Sequence, residues 1–139
     1  MMLAIMALPA SVLALPDSNQ IEFSNCSIAH PGTNLTASAR CGTFDVAEDP
    51  ADPSGKKISL KVAIAPATGK STEPDPVFFF AGGPGQAASE TWVIIQSTLR
   101  KIRKSRDIVM IDQRGTGGSN KLACETELEE DLNQEIDLD

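Results

Sequence analysis

The chain contains a single histidine, and none of its serines has glycine at both the −2 and +2 positions. The second lack excludes a G-x-S-x-G nucleophile elbow. Ser119 comes nearest, with Gly117 behind it but Lys121 ahead. No histidine or cysteine cluster has the spacing of metal ligands, so no metal site is expected. No apolar run reaches the roughly 20 residues that span a bilayer, and no internal repeat is visible. Cysteines number only three, too few for a disulfide-dense scaffold but in keeping with an oxidising compartment.

What is present fits one soluble domain. At 139 residues, 41% hydrophobic and 22% charged, the chain can bury a modest core. The net charge of −7 is local: residues 125–139 hold eight of the nineteen acids and none of the twelve bases. The acidity therefore belongs to a tail and says little about partners of the body. Residues 1–14, MMLAIMALPASVLA, carry no charged side chain and suit the apolar region of a secretory signal peptide. Val12, Leu13 and Ala14 supply a small-residue cleavage site, and mature material is expected to begin at Leu15. The competing reading is a buried N-terminal strand or helix. Cys26 and Cys41 flank a polar segment, residues 15–41 being read as a loop that a disulfide staples, and Cys124 is left over. Asn25-Cys26-Ser27 and Asn34-Leu35-Thr36 fit the glycosylation sequon, which matters only in a eukaryotic secretory pathway.

Further along, residues 42–46 read as a short strand, followed by the turn-rich stretch AEDPADPSGKK. Ile58, Leu60, Val62 and Ile64 then alternate with Ser59, Lys61 and Ala63. Period two with a polar alternate face predicts an antiparallel strand near a sheet edge. The continuous apolar run at residues 77–80 predicts a strand buried on both faces, as does the run at 108–111. Between them Ala88, Trp92, Ile95, Leu99 and Ile102 recur at helical spacing, predicting a helix over residues 89–103. Arg100, Lys101, Arg103, Lys104 and Arg106 crowd its end. These cations are read as offsetting the negative end of the helix dipole, rather than as a nucleic-acid patch. Strand, Gly-rich turn, helix, strand, Gly-rich turn is a βαβ unit with a parallel strand pair. Leu128, Leu132 and Ile136 give the acidic tail one narrow apolar stripe, a helix that would be marginal alone.

A Gly-rich loop after a buried strand lets backbone N–H groups approach a ligand. Two chemistries use it. Gly83-Pro84-Gly85-Gln86-Ala87-Ala88 fits the dinucleotide pattern G-x-G-x-x-A, and Asp112 ends the next strand. The other chemistry is an oxyanion hole, in which such a loop donates a backbone N–H to a tetrahedral intermediate.

FFFAGGPGQAA followed by DIVMIDQRGTGGSN resembles the paired HGGPG and DQRG signatures of proline iminopeptidases and of the related exported tripeptidyl-type aminopeptidases. CGTFDVAEDP and the alternating strand after it resemble the opening of the exported subgroup. The resemblance covers roughly residues 41–120. It implies an α/β fold, the N-terminal part of an α/β-hydrolase: an antiparallel hairpin leading into the first βαβ crossover. In that frame residues 42–124 form the N-terminal portion of the hydrolase domain, and 125–139 a truncated helix.

The resemblance places Gly82 and Gly83 on the oxyanion loop, Gly83 being the favoured N–H donor. Pro84, Gly85, Asp112, Gln113, Arg114 and Gly115 become structural loop residues, with Asp112 and Arg114 pinning the turn by hydrogen bonds and charge pairing. Ala81 stands where the family usually has histidine. The implied activity is hydrolysis of a peptide or amide bond at a substrate N-terminus through a serine acyl-enzyme, with no cofactor. The family's triad runs Ser, Asp or Glu, then His, so the nucleophile and histidine are expected downstream, and this chain alone is expected to be inactive. His30, ahead of every expected strand, reads as a loop residue. The alternatives are a non-catalytic exported binding module and a dinucleotide-binding βαβ domain.

Overall fold

In the computed structural model, which describes residues 20–70 and 72–122, five strands form one mixed sheet. The strands are β1 (Ser24–Ala29), β2 (Thr36–Ala47), β3 (Lys57–Ala65), β4 (Val77–Phe79) and β5 (Ile108–Ile111), in the order β1-β2-β3-β5-β4. One α-helix, α1 (Ala88–Ile95), connects β4 to β5. β4 and β5 run parallel, with Phe79 opposite Met110, whereas β1, β2, β3 and β5 pair antiparallel in succession. The chain is thus α/β, with an antiparallel portion feeding a strand–helix–strand crossover. The signal-peptide segment, Cys124 and the acidic tail lie outside the described residues.

The period-two segment is antiparallel on both sides, but it lies at the centre of the sheet rather than near its edge. Lys61 and Ser59, which suggested an edge, sit where β3 runs past the end of β5. There Lys61 meets the loop after β5 instead of another strand. The segment 15–41, read as a loop, contains β1 and the start of β2. Ile28, Ala37 and Ala39 are buried beneath the helix, so their alternation with Ser27, Ser38 and Arg40 is a strand pattern that the polar composition concealed. Cys26 and Cys41 form a disulfide across this hairpin, with Cα atoms 5.8 Å apart. His30 consequently follows a strand; it opens the hairpin turn, where its carbonyl accepts from the Thr33 N–H.

The helix is shorter than its apolar spacing predicted. After Ile95 the bonding tightens, with Thr98 N–H donating to Ile95 O and Arg100 N–H to Ser97 O, before a single 3-10 turn at Ile102–Lys104. Ser97 and Thr98 fall at the break; such residues compete with helical bonding through their own hydroxyls. The crowded cations therefore lie beyond the α-helix, whose last turn has no basic residue. The dipole role gives way to a packing one: Arg103 Nε donates to Pro66 O, and its guanidinium stands over the Trp92 ring.

The core lies between one sheet face and α1. Trp92, Val93, Ala88, Ile108, Met110, Ala63, Ala65, Ala37, Ala39 and Ile28 form a single buried cluster. Alanines on β2 and β3 leave room for the indole, which is fully buried. On the opposite sheet face Ile58 and Val62 are buried and Ile21 and Phe23 lie against one side, but the described residues leave the β4 end open. As a result β4 is not buried on both faces: Phe78 and Phe80 are 55% and 56% exposed. β4 is also an edge strand, so its outer backbone groups are unpaired within the described sheet.

Candidate functional site

Parallel pairing makes β4 and β5 end at the same edge of the sheet, which brings their glycine-rich loops together. In α/β folds ligands bind at this carboxyl end of the strands. Asp112, the residue after β5, is fully buried and accepts three hydrogen bonds. Ser89 N–H reaches Oδ1 at 2.8 Å, Ser89 Oγ reaches Oδ2 at 2.9 Å, and Gly118 N–H reaches Oδ2 at 3.1 Å. Ala87, at the N-cap of α1, has no capping side chain of its own. Asp112 fills that role from the other loop, where a carboxylate also meets the positive end of the helix dipole. Gly117 makes the approach fit: its φ is +46°, and a Cβ there would come within 2.5 Å of both Ala87 Cβ and Asp112 Oδ2.

The rest of the second loop is fastened to the sheet. Ser119 Oγ donates to Asp112 O at 2.7 Å and accepts from Lys61 N–H at 2.8 Å, and the residue is fully buried. The serine nearest to an elbow context is thus a buried pin without access to substrate. Gln113 is exposed, and its carbonyl closes the turn by accepting from Thr116 N–H and Oγ1. Gly115 N–H donates to Ser119 O, and Gly115 O accepts from Leu122 N–H. Arg114 does not pair with Asp112; its Nη1 donates to Glu48 O at 2.9 Å, tying the loop to the turn between β2 and β3. Neither Ser89 nor Glu48 stands out from sequence, because each acts through a partner far along the chain.

Gly82, Gly83, Pro84 and Gly85 are exposed on the first loop. Gly83 has φ +83°, a conformation open to glycine at little cost, and Gln86 N–H closes back to its carbonyl at 3.5 Å. Among the described residues the N–H groups of Gly82, Gly83 and Gly85 have no acceptor. A Cβ on Gly82 would meet nothing within 4 Å, so the space in front of this backbone is open. Chemically, such a loop can present N–H donors to an anionic oxygen. Its base is held by the Ser89–Asp112 contacts a few residues on.

The same geometry weighs against a dinucleotide site. The acid that would meet a ribose is buried and fully engaged, and it occupies the helix N–H a pyrophosphate would use. On the outer side of α1, His30, Gln86, Glu90, Thr91 and Lys121 line a hollow of about 300 Å³, and His30 Nδ1 is buried without a partner among the described residues. Within the described residues no group of three or more His, Cys, Asp or Glu is placed to hold a metal ion. No helix there is long and apolar enough to cross a membrane. Compared with protein-family models and with curated proteins, the chain has no match.

Proposed function

We propose that this chain supplies the N-terminal portion of an exported α/β-hydrolase of the proline-iminopeptidase type, acting on peptide or amide bonds at substrate N-termini. One observation carries the reading. The two motifs that resemble the family's signatures lie side by side at the carboxyl edge of a parallel strand pair, joined through Ser89 and Asp112. That placement suits an oxyanion loop, which must be held still while exposing its backbone N–H groups. Gly82 and Gly83 take the donor role, with Gly83 favoured. Asp112, Gln113, Arg114 and Gly115 serve as the support beneath.

In this reading a serine on downstream polypeptide attacks the scissile carbonyl, and the loop N–H groups stabilise the negative oxygen that develops. A donor of this kind contributes about 3–4 kcal/mol to transition-state stabilisation. Residues 1–139 contain no elbow serine and no late histidine, so they hydrolyse nothing unaided. Export follows from the apolar segment at residues 1–14, and the Cys26–Cys41 disulfide suits that destination.

The test is to read the coding sequence beyond Asp139 and express the extended chain. A downstream G-x-S-x-G, with turnover of aminoacyl or prolyl anilides, supports the proposal. A stop with no such remnant favours a non-catalytic exported binding module.

A further inference from the structure

Of the five cations at residues 100–106, only Arg106 forms an ion pair among the described residues, with Asp75. Arg103 is nonetheless held in place, by the Nε bond to Pro66 O at 2.9 Å and by the Trp92 ring. Two hollows adjoin it. One, of about 270 Å³, is lined by Thr68, Gln96, Ser97, Arg100 and Arg103. The other, of about 240 Å³, shares Thr68 and Arg103 and adds Asn25, Ser38 and Arg40. Three guanidinium groups thus border one groove, and among the described residues no carboxylate lines it. Arg40 and Arg100 likewise have no carboxylate partner there.

Backbone bonds hold the groove in shape. The loop after β3 is fastened to the connection between α1 and β5: Thr68 N–H donates to Arg103 O at 2.8 Å and Gly69 N–H to Lys104 O at 2.9 Å. A Cβ at residue 69 would collide with Lys104 O, so glycine permits this approach. Ala67 N–H donates to Asp107 Oδ1 at 2.7 Å, which engages the acid that ends the same connection.

We propose that this groove binds an acidic polysaccharide, with its carboxylate or sulfate groups on Arg40, Arg100 and Arg103. This does not rest on the hydrolase reading. Guanidinium groups form forked, charge-assisted bonds to such anions. Asn25, Ser38, Thr68, Gln96 and Ser97 both donate and accept, as sugar hydroxyls require. Each hollow is smaller than the roughly 300 Å³ at which small-molecule pockets begin, so an extended ligand running through both suits them better than a compact one. No aromatic side chain lines either hollow, which leaves a single-stranded nucleic acid without a stacking platform. No large apolar side chain lines them either, so nothing there would enter the acyl boundary of a membrane.

The test measures binding of the full chain to heparin and to polygalacturonate at low salt. A net charge of −7 opposes any polyanion at long range, so binding reports the local cluster. The expected result is saturable binding that weakens as salt rises, with amide resonances of Ser38, Thr68, Ser97 and Arg103 shifting. Arg40→Gln with Arg100→Gln should weaken it about tenfold and keep the far-UV circular dichroism. Lys57→Gln with Lys121→Gln removes equal charge away from the groove and should leave binding unchanged. The proposal is overturned if neither polysaccharide binds, if neutral dextran binds as well, or if both variants weaken binding equally. Shifts confined to residues outside the groove overturn it too, as does equally tight binding of single-stranded DNA or phosphatidylglycerol vesicles.

Discussion

Ser89 on α1 and Asp112 after β5 are joined by two hydrogen bonds, one from the backbone N–H and one from the hydroxyl, at 2.8 and 2.9 Å. Both residues are buried, at 1% and 0% exposure, so the pair works as a lock between the two glycine loops rather than as a surface contact. Asp112→Ala leaves three donors without their acceptor, and the two on buried Ser89 each cost about 1–3 kcal/mol. The expected loss of unfolding free energy is about 3–5 kcal/mol. Asp112→Asn keeps one acceptor oxygen and should lose roughly half as much. Urea melts of the two variants check the order; equal stability of parent and Asp112→Ala would remove the lock from the account.

Ser119 is expected to be inert. Its hydroxyl is engaged at both ends, by Asp112 O and by Lys61 N–H. Ser119→Ala should cost about 1–3 kcal/mol by orphaning those backbone groups. A fluorophosphonate probe should label no serine of the parent chain, as mass spectrometry of the treated protein would report. Stoichiometric labelling at any serine would contradict the assignment of the nucleophile to other polypeptide.

Much of this architecture could be read from residue order, and the failures share a cause. The β4–α1–β5 succession was visible because apolar runs and glycine turns are local signals. The placement of β3 was not: Lys61 and Ser59 looked like an exposed face, but the chain after β5 folds against Lys61 from about 58 residues away. The hairpin of β1 and β2 was hidden because alanine, serine and threonine alternate with little contrast in hydrophobicity. Apolar run length also misled at residues 77–80, since a strand can be apolar on both faces while only one is covered by described residues. At the candidate site the glycines and Asp112 could be named from motif spacing. The cap Asp112 gives to Ser89 could not, because it exists only once the parallel pair has formed.

The disulfide should matter most to the hairpin. Cys26 and Cys41 are 15 residues apart, and closing a loop of that length stabilises by about 3 kcal/mol in the chain-entropy model. Reduction should lower unfolding free energy by that order, with β1 exchanging its amide protons first. Non-reducing peptide maps of secreted material should recover the Cys26–Cys41 pair. Recovery of Cys124 bonded to either partner would count against it.

Arg106 holds the exposed Asp75 carboxyl below the ordinary value of 3.8, chiefly through a side-chain hydrogen bond. A lowered folded-state value means that the contribution is fully present above about 3.8 and is lost as pH falls through the depressed value. Carbon-13 titration of the carboxyl should therefore place Asp75 below 3.8 in the parent and return it towards 3.8 in Arg106→Gln. An Asp75 titration unchanged by Arg106→Gln would show that the pair is not formed in solution.

The account turns on what the backbone at Gly82 and Gly83 does. Substitution is a blunt tool at Gly83, because its φ of +83° strains any side chain placed there. Gly82 has free space for a Cβ, but a change there alters the approach as well as the donor. The direct measurement is a crystal structure of the chain extended with the proposed downstream serine, with a boronate or phosphonate bound. The prediction is an oxyanion oxygen about 2.7–3.1 Å from the Gly83 or Gly82 nitrogen, with the Ser89–Asp112 pair unchanged beneath it. An oxygen held elsewhere, more than about 4 Å from both nitrogens, would contradict the oxyanion role and with it the proposed function of the loop.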